Sequence, residues 1–404
     1  MTDGLFTDYE NLVWVKVDTT PHDLTACFID CLEEGARRLG FKDLTDFLEV
    51  VDIIRWSTTV ASNVLAQKVG SKIGLMVSKG YAKNMYGEGT SPALNFLVRE
   101  ECVKELSPDP SFDEIQSALK DLLEMGVRRL VISLKGSFYD FSKEAKVKSL
   151  IEDQYPDHYL GYVPVLLGSD ICHHPDDNTR THFALLNAYI HAPLAATLYK
   201  AEDELRTRGY NKPLLIGCIS GGVTRVAKTK AVDTIESGPV FGIYGAAYFA
   251  RLYNLDQVIS FDVGGTTTKI GVIKGFSPIR SREADIFDIK VKMPLVLPRS
   301  LSIGGGSVAK VADGRVTIGP ESMGAYPGPA CYDLGGVEAT FTDAALTLGF
   351  LNPQNFLGGR RKLKMELAKD VIELNVAKPL GLNVEELSLI HISEPTRPRL
   401  ISYA

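Results

Sequence analysis

An aspartate, two glycines and three threonines lie between two short apolar runs, and this stretch constrains the chain most. The runs, Val258–Val263 and Lys269–Ile273, have the length and branched residues of β-strands, which predicts a hairpin. Asp262 lies near the end of the first strand, and the turn that follows contains Gly264, Gly265, Thr266, Thr267 and Thr268. Glycines let a backbone approach a ligand and aim N–H groups at an anion, and threonine hydroxyls add donors. The alternative is a tight hairpin that binds no ligand.

A helix with small residues on one face is predicted just before this hairpin. Glu236–Pro239 leads into Val240–Leu252, whose small residues are Gly242, Gly245, Ala246 and Ala247. Such a face lets another backbone pack closely, although ordinary helix packing also uses small residues. Helix and hairpin in this order favour a functional site more strongly than either does alone.

The chain has 404 residues, more than one hydrophobic core usually supports, so two domains are expected. A net charge of −6 and the absence of a basic face argue against nucleic acid as a partner. No apolar run reaches the ~20 residues needed to span a bilayer, and the first residues lack the features of a signal peptide. Six scattered cysteines indicate a reduced, cytoplasmic protein.

Strands that alternate with helices predict an α/β architecture. Buried strands are predicted at Ile73–Val77, Leu130–Leu134, Val163–Leu167 and Leu214–Cys218, and helices at Phe112–Met125 and Thr181–Arg208. The first helix is predicted to have Thr20 as its N-cap and Pro21 at its first position. Asp313-Gly314 predicts a two-residue hairpin turn. The boundary between the two domains is placed just before Val258.

Several further motifs occur in one order along the chain. They are Ser57–Asn63, Glu236–Pro239, Ser302–Ser307, Gly319–Ala325, Pro327–Tyr332 and Thr340–Ala344. Together with the hairpin, they resemble the hydantoinase A/5-oxoprolinase family of the actin-like ATPase superfamily, which includes acetone and acetophenone carboxylase-type subunits. The resemblance extends from Thr2 to Glu386. It implies an α/β fold of two actin-like (ribonuclease H-like) domains joined by a hinge helix, with the second domain incomplete.

The resemblance implies an ATP-dependent hydrolase of cyclic amides, of the hydantoin or 5-oxoproline type, or an ATP-dependent ketone carboxylase subunit. Amide resonance makes direct attack by water slow, and phosphorylation of the carbonyl oxygen creates a good leaving group. The protein would then position the reactants and stabilise charge around the phosphoryl group. ATP and Mg²⁺ are the implied cofactors, and a second, hydantoinase B-type subunit is the implied partner. The alternative is a non-catalytic, actin-like nucleotide switch that acts on a partner protein.

By this resemblance, the hairpin would hold the β- and γ-phosphates of ATP through Gly264, Gly265, Thr266 and Thr267. Asp262 would support Mg²⁺ through water, because that ion usually keeps several waters. Asp262 and Thr267 are therefore the candidate catalytic residues.

Three further segments have two interpretations each. Ser57, Thr58 and Thr59 lie between a strand and a helix, where they could bind an anion or substrate or cap the helix. Asp343 could be catalytic, but the cap of the helix that follows is the favoured interpretation. The third segment consists of Gly304, Gly305 and Gly306. It either lines the cleft between the domains, where it would contact the cofactor, or forms a turn into a strand.

A single histidine-rich cluster raises the question of a metal site. It contains Asp170, Cys172, His173, His174 and His182. A zinc site needs three or four convergent ligands, and these residues have no regular spacing. An exposed polar loop is the favoured interpretation.

The two ends depart from the family pattern. Met1-Thr2-Asp3 matches only the tail of a first Gly-Gly-Thr hairpin, and Ser388–Ala404 resembles translated adapter sequence more than protein. We therefore expect a fragment: residues 1–255 as an N-terminal domain that ends in the hinge helix, 256–387 as a partial second domain, and 388–404 as a non-native tail. Such a fragment is expected to be inactive alone.

Overall fold

The computed structural model describes residues 1–8, 10–20, 22–82, 94–296 and 298–382. Its helices are α1 (Leu24–Arg38), α2 (Leu44–Val50), α3 (Val60–Gln67), α4 (Leu94–Leu97), α5 (Phe112–Glu124), α6 (Ser142–Gln154), α7 (Gly168–Ile171), α8 (Asp177–Thr207), α9 (Ser237–Leu252), α10 (Phe341–Thr347), α11 (Met365–Ile372) and α12 (Lys378–Leu380). Its strands are β1 (Thr2–Thr7), β2 (Leu12–Val17), β3 (Ile54–Trp56), β4 (Ile73–Ser78), β5 (Val103–Leu106), β6 (Arg129–Ser133), β7 (Val165–Leu167), β8 (Leu214–Gly217), β9 (Val223–Arg225), β10 (Gln257–Val263), β11 (Thr268–Lys274), β12 (Ser277–Pro278), β13 (Ala284–Ile286), β14 (Ile289–Val291), β15 (Arg299–Leu301), β16 (Ser307–Ala312) and β17 (Arg315–Ser322). The expected non-native tail, residues 388–404, lies outside the described residues.

A parallel sheet lies at the centre of the N-terminal half, with strand order β5-β4-β6-β7. Parallel neighbours need crossover connections, which α5 and α6 supply. β4, β6 and β7 are mostly apolar because helices pack against the sheet, and Leu75, Met76 and Val131 are completely buried. The four predicted apolar runs correspond to β4, β6, β7 and β8, and the two predicted helices to α5 and α8, so the α/β architecture is confirmed. In the described ranges, no helix combines the length and the apolar character that a membrane crossing requires.

The start of α1 differs from the prediction. Asp23, in an extended conformation, is the N-cap, and its side chain accepts a hydrogen bond of 3.1 Å from the amide of Thr25. The hydroxyl of Thr20 instead accepts a hydrogen bond of 3.1 Å from the amide of Cys27. The predicted cap at Thr20 was therefore wrong, and Pro21 lies outside the described residues. Both residue types are good caps, and the sequence could not decide between them.

In the C-terminal half, β10, β11, β12 and β15 form an antiparallel sheet against which α9 packs. The backbone of Gly271 lies so close to the side chain of Ile243 on α9 that an added Cβ would be 2.4 Å from it. Further along, β16 and β17 form a hairpin around Asp313 and Gly314, both with positive φ, which confirms the predicted turn.

One face of β10 is apolar and exposed. Ile259, Phe261 and Val263 alternate along the strand with 68%, 62% and 46% of their surface exposed. Gly271, which faces α9, pairs with Ser260. Because side chains alternate between the two faces of a sheet, the three apolar residues lie on the face away from α9.

The hairpin β13–β14 connects the two halves of the chain. Its residues Ile286, Ile289 and Val291 are buried in the same hydrophobic cluster as the N-terminal parallel sheet. The ring Nδ1 of His182 on α8 lies 2.8 Å from the carbonyl oxygen of Lys290. The domain boundary just before Val258 stays a prediction.

The glycines of α9 lack the close contact that was predicted for them. Gly242 and Gly245 are exposed, and within the described part of the chain a Cβ added to either would meet no atom closer than 4 Å. Of the predicted small-residue face, only Ala247 is buried. The expectation of a closely packed backbone on this face was therefore wrong for the residues that the structure describes.

Candidate functional site

The turn between β10 and β11 has the geometry that the sequence predicts. The strands pair in register, with Asp262 opposite Lys269, and the amide of Gly264 donates a hydrogen bond of 2.9 Å to the carbonyl oxygen of Thr267. A Cβ at Gly264 would lie 2.9 Å from that same oxygen. Glycine is needed here because the backbone folds back on itself too tightly for a side chain.

The tip of the turn, Gly265–Thr267, presents unused hydrogen-bond donors. Gly265 and Thr266 are exposed and Thr267 is half-buried. In the described part of the chain, the three amides have no acceptor, and neither do the hydroxyls of Thr266 and Thr267. Successive N–H groups in a turn form a concave site that favours anions. We call these five groups the donor turn.

Gly304–Gly306 support the turn from beneath. The amide of Gly305 donates to the carbonyl oxygen of Gly264 at 2.9 Å, and the amide of Gly306 donates to that of Gly265 at 2.6 Å. The amide of Gly304 donates to Ser307 Oγ at 2.9 Å. All three amides are thus engaged within the protein, and the segment leads directly into β16. Its predicted contact with a cofactor stays a prediction.

Ser57, Thr58 and Thr59 lie between β3 and α3, as expected. The hydroxyl of Thr58 accepts a hydrogen bond of 3.3 Å from the amide of Val60, so Thr58 caps the first turn. Thr59 occupies the N-cap position without a capping hydrogen bond, and its hydroxyl accepts one of 3.3 Å from the side chain of Asn63. Capping therefore accounts for Thr58, and anion binding by the segment stays a prediction.

The N-terminus of α9 brings this segment and the hairpin together. The hydroxyls of Ser57 and Ser237 are 2.8 Å apart, and Glu236 Oε2 lies 2.6 Å from the ammonium of Lys269 on β11. Lys269 Nζ also donates to Ser300 Oγ at 2.7 Å. The first turn of this 16-residue helix has no acidic side chain. Its N-cap residue, Glu236, is itself a carboxylate, and the pair with Lys269 neutralises the charge at this end of the helix.

Asp262 is an exposed carboxylate at the end of β10. Across the described ranges, no three His, Cys, Asp or Glu side chains converge in a way that could hold a metal ion. Mg²⁺ is commonly bound by one or two carboxylates together with phosphates and waters, and not by a protein cage. A single exposed carboxylate near the donor turn fits that kind of binding.

Asp343 is fully buried and has a structural role. Thr340 is the N-cap of α10, and Asp343 at the third position completes a capping box with it. Its Oδ1 accepts a hydrogen bond of 2.8 Å from the amide of Cys331. Burial raises the pKa of this carboxyl. Asp343 thus belongs to the cap, as favoured, although Thr340 and not Asp343 is the N-cap residue.

The residues of the histidine-rich segment have separate partners. Cys172 contacts the sulfur of Met293 at 3.6 Å, and burial raises the pKa of its thiol to about 11. His174 Nδ1 accepts a hydrogen bond of 3.1 Å from the amide of Asp176, and the ring of His173 packs against Phe138. His182 is buried in the contact with β14. These contacts give the cysteine and the three histidines separate partners. The expected exposed polar loop was wrong for Cys172 and His182, which are buried.

Sequence reasoning missed the ion pair beside the donor turn. Glu236 and Lys269 each belong to a quoted motif, but no pattern links two residues 33 positions apart. Ser300 lies outside all of the motifs named above. A lysine directly after the threonine run was the one available signal, because a buried or half-buried lysine needs a partner.

Two family models match the chain. The hydantoinase/oxoprolinase model matches residues 180–393, and the hydantoinase/oxoprolinase N-terminal region matches residues 1–155. Together they include the donor turn, Ser57–Thr59 and Gly304–Gly306.

Two curated proteins of related sequence are named as enzyme subunits. The gamma subunit of acetophenone carboxylase from Aromatoleum aromaticum is 32% identical over 96% of this chain and 58% of that subunit. Caprolactamase subunit alpha from Pseudomonas jessenii is 29% identical over 99% of this chain and 61% of that subunit. The chain thus spans less than two thirds of these relatives.

Solved structures show the same fold. A nucleotide-free structure of acetone carboxylase, from work on ATP-dependent acetone carboxylation, matches with a TM-score of 0.79 and 26% identity, over 96% of this chain and 58% of the other. An ATP-dependent caprolactamase from Pseudomonas jessenii matches with a TM-score of 0.77 and 29% identity, over 96% and 59%. These likenesses confirm the expected α/β fold of actin-like type. The family models and the sequence relatives agree, and the chain belongs to the hydantoinase/oxoprolinase family.

Proposed function

We propose that this chain belongs to an ATP-dependent enzyme that activates a cyclic amide or a ketone by phosphoryl transfer. The observation that carries the proposal is the donor turn, in which three amides and two hydroxyls point at no acceptor in the described part of the chain. Two of the related structures are described as ATP-dependent or as part of an ATP-dependent mechanism, which supports the choice of nucleotide.

When bound, MgATP would supply the phosphoryl group. The amides of Gly265, Thr266 and Thr267 would hold its β- and γ-phosphates, and the two threonine hydroxyls would fix their orientation. Asp262 would bind waters of Mg²⁺. Thr267, half-buried at the end of the turn, would position the transferred group, so Asp262 and Thr267 are the proposed catalytic residues.

The support around the turn suits this role. Gly304–Gly306 hold its carbonyl groups, which leaves its amides directed outward. Ser57–Thr59 would add donors from the N-terminal half on the other side of α9. Preorganised donors favour phosphoryl transfer because they need no rearrangement as charge develops.

The relatives named as subunits support a partner subunit, for which we propose the hydantoinase B type. A cytoplasmic location is also proposed, and six buried, unpaired cysteines support it.

The second candidate function is a nucleotide switch without catalysis. Phosphate release that depends on substrate would favour the enzyme, and assembly with a partner that depends only on nucleotide would favour the switch.

Thermal denaturation of the 404-residue chain with and without MgATP tests nucleotide binding. One described turn offers few phosphate contacts, so we expect weak binding of about millimolar strength. At ten times the dissociation constant, such binding raises the free energy of unfolding by about 1.4 kcal/mol. Thr266→Val should reduce this stabilisation, and Thr317→Val, at an exposed threonine of β17, should not. No stabilisation of the wild type at tens of millimolar MgATP would contradict the proposed function.

A further inference from the structure

The ion pair between Glu236 and Lys269 links α9 to the strand that leaves the donor turn. Glu236 Oε2 and Lys269 Nζ are 2.6 Å apart, and the two side chains are only 17% and 19% exposed. Lys269 lies opposite Asp262 in the strand register and two positions after Thr267. Its second hydrogen bond, to Ser300 Oγ on β15, fixes the ammonium from the other side. The lysine therefore has one well-defined position within the sheet.

The backbone of Glu236 is in an unfavourable conformation. Its φ of 51° and ψ of 21° lie in the left-handed region, which costs residues other than glycine roughly 1–2 kcal/mol. Glycine would adopt this conformation without strain, yet a glutamate occupies it. A strained backbone that carries a half-buried charged side chain indicates that the side chain is used.

The surroundings hold Glu236 in place from the N-terminal half. Its amide donates a hydrogen bond of 3.3 Å to Ser62 Oγ on α3, and its carbonyl oxygen accepts one of 3.2 Å from Val240. The adjacent Ser237 contacts Ser57. Glu236 thus contacts α3 and α9 through its backbone and β11 through its side chain.

We propose that Glu236 is a positioning residue that holds the donor turn against the N-terminus of α9 through Lys269. The inference rests on the proposed function in one respect, that the turn binds phosphate. The ion pair fixes the strand that follows the turn relative to the helix dipole. The position of the turn relative to α9 therefore depends on this pair.

Hydrogen exchange in the nucleotide-free chain tests the positioning role directly. We expect Glu236→Gln and Lys269→Met each to speed exchange of the hydrogen-bonded amides in the Asp262–Lys269 segment, such as that of Gly264, at least about fivefold. The double variant should exchange no faster than Lys269→Met, because that variant already removes the pair together with the bond to Ser300. Lys269→Arg keeps the pair and should restore slow exchange. Lys310→Met breaks the surface pair with Glu321 on β16–β17 and should leave the Asp262–Lys269 segment unchanged. Wild-type exchange in both Glu236→Gln and Lys269→Met would overturn the proposal.

Glu236→Gly separates positioning from plain structural support. Glu236→Gly and Glu236→Ala both remove the ion pair, but only glycine relieves the left-handed backbone, so the denaturation midpoint of Glu236→Gly should be the higher of the two. The stabilisation by MgATP should nevertheless fall, and hairpin exchange should rise. A variant that keeps both wild-type exchange and the wild-type response to MgATP would show that the carboxylate has no positioning role. If the wild type itself does not respond to MgATP, the proposed function fails, and the exchange rates still decide the inference.

Discussion

The amide of Gly306 donates a hydrogen bond of 2.6 Å to the carbonyl oxygen of Gly265, and so joins two glycine loops that are 41 positions apart. A second bond, from Gly305 to Gly264, lies beside it. The two loops contact each other through backbone atoms, with no side chain between them. The outward direction of the donor turn therefore depends on a segment that itself has no free amide.

Gly304→Ala should destabilise the chain and displace the donor turn. A Cβ at this position would lie 2.7 Å from the carbonyl oxygen of Gly264 and from backbone atoms of Thr266. Overpacking of this kind costs about 1–3 kcal/mol of unfolding free energy, which denaturant titration measures. Gly265→Ala is the matched control for stability, because its Cβ would meet no described atom within 4 Å. Equal stability of the Gly304→Ala variant and the wild type would show that the loops are further apart.

Glu34 on α1 should contribute a pH-dependent part of the stability. Its carboxylate accepts hydrogen bonds from Arg37 and Arg38 and lies 3.1 Å from Arg360, which connects α1 to the C-terminal half. The hydrogen bond from Arg37 is the largest cause that lowers the pKa of Glu34 from 4.5 to about 2. A lowered pKa gives stability that is complete above pH 4.5 and is lost as the pH falls from 4.5 towards 2. The contribution is on the order of 3 kcal/mol.

Urea denaturation between pH 2 and 7 measures this contribution in Glu34→Gln. The variant should be less stable at pH 7 and should lose less stability than the wild type on acidification through that window. Glu33→Gln, at an exposed neighbour on the same helix, is the control. Parallel pH profiles for Glu34→Gln and the wild type would refute the assignment.

Asp262→Asn should abolish the effect of Mg²⁺ on nucleotide binding while the fold stays intact, because the side chain is exposed. We expect MgATP to stabilise the variant only as much as metal-free ATP stabilises the wild type. In an assembly that turns over ATP, loss of this charge should lower the rate at least ~10²-fold. Thermal melts with Mg²⁺ or with a chelator provide the measurement. A full Mg²⁺ effect in the variant would remove Asp262 from the metal site.

Gly242→Ala should stabilise the chain. The position lies inside α9, is exposed and has no described neighbour within 4 Å of an added Cβ. Alanine in place of a helical glycine typically adds about 0.5–1 kcal/mol to the free energy of unfolding. Gly245→Ala should have a similar effect for the same reason, and chemical denaturation measures both. A clear loss of stability in either variant would show that another segment packs on this face in solution.

The donor turn could be predicted from the sequence because its determinants lie together in Asp262–Thr268. The parallel strands β4, β6, β7 and β8 could be predicted too, because buried strands are apolar runs. The parallel strand β5 was not predicted, since it is short and contains charged residues. The pairing of Glu236 with Lys269 could not be predicted from the sequence. It depends on how α9 and β10, which lie between the two residues, pack against each other. The prediction of where α1 starts was wrong because Thr20 and Asp23 are both good caps, and only tertiary packing selects one of them.

The apolar face of β10 affects the solubility of the isolated chain. Ile259, Phe261 and Val263 form an exposed apolar strip along β10. Among the described strands, β10 pairs only with β11, so it is an edge strand. Exposed hydrophobic edge strands promote association between molecules. Association at this strip will therefore limit the highest usable concentration of the isolated chain. Mild detergent or a charged residue at Phe261 is the practical remedy.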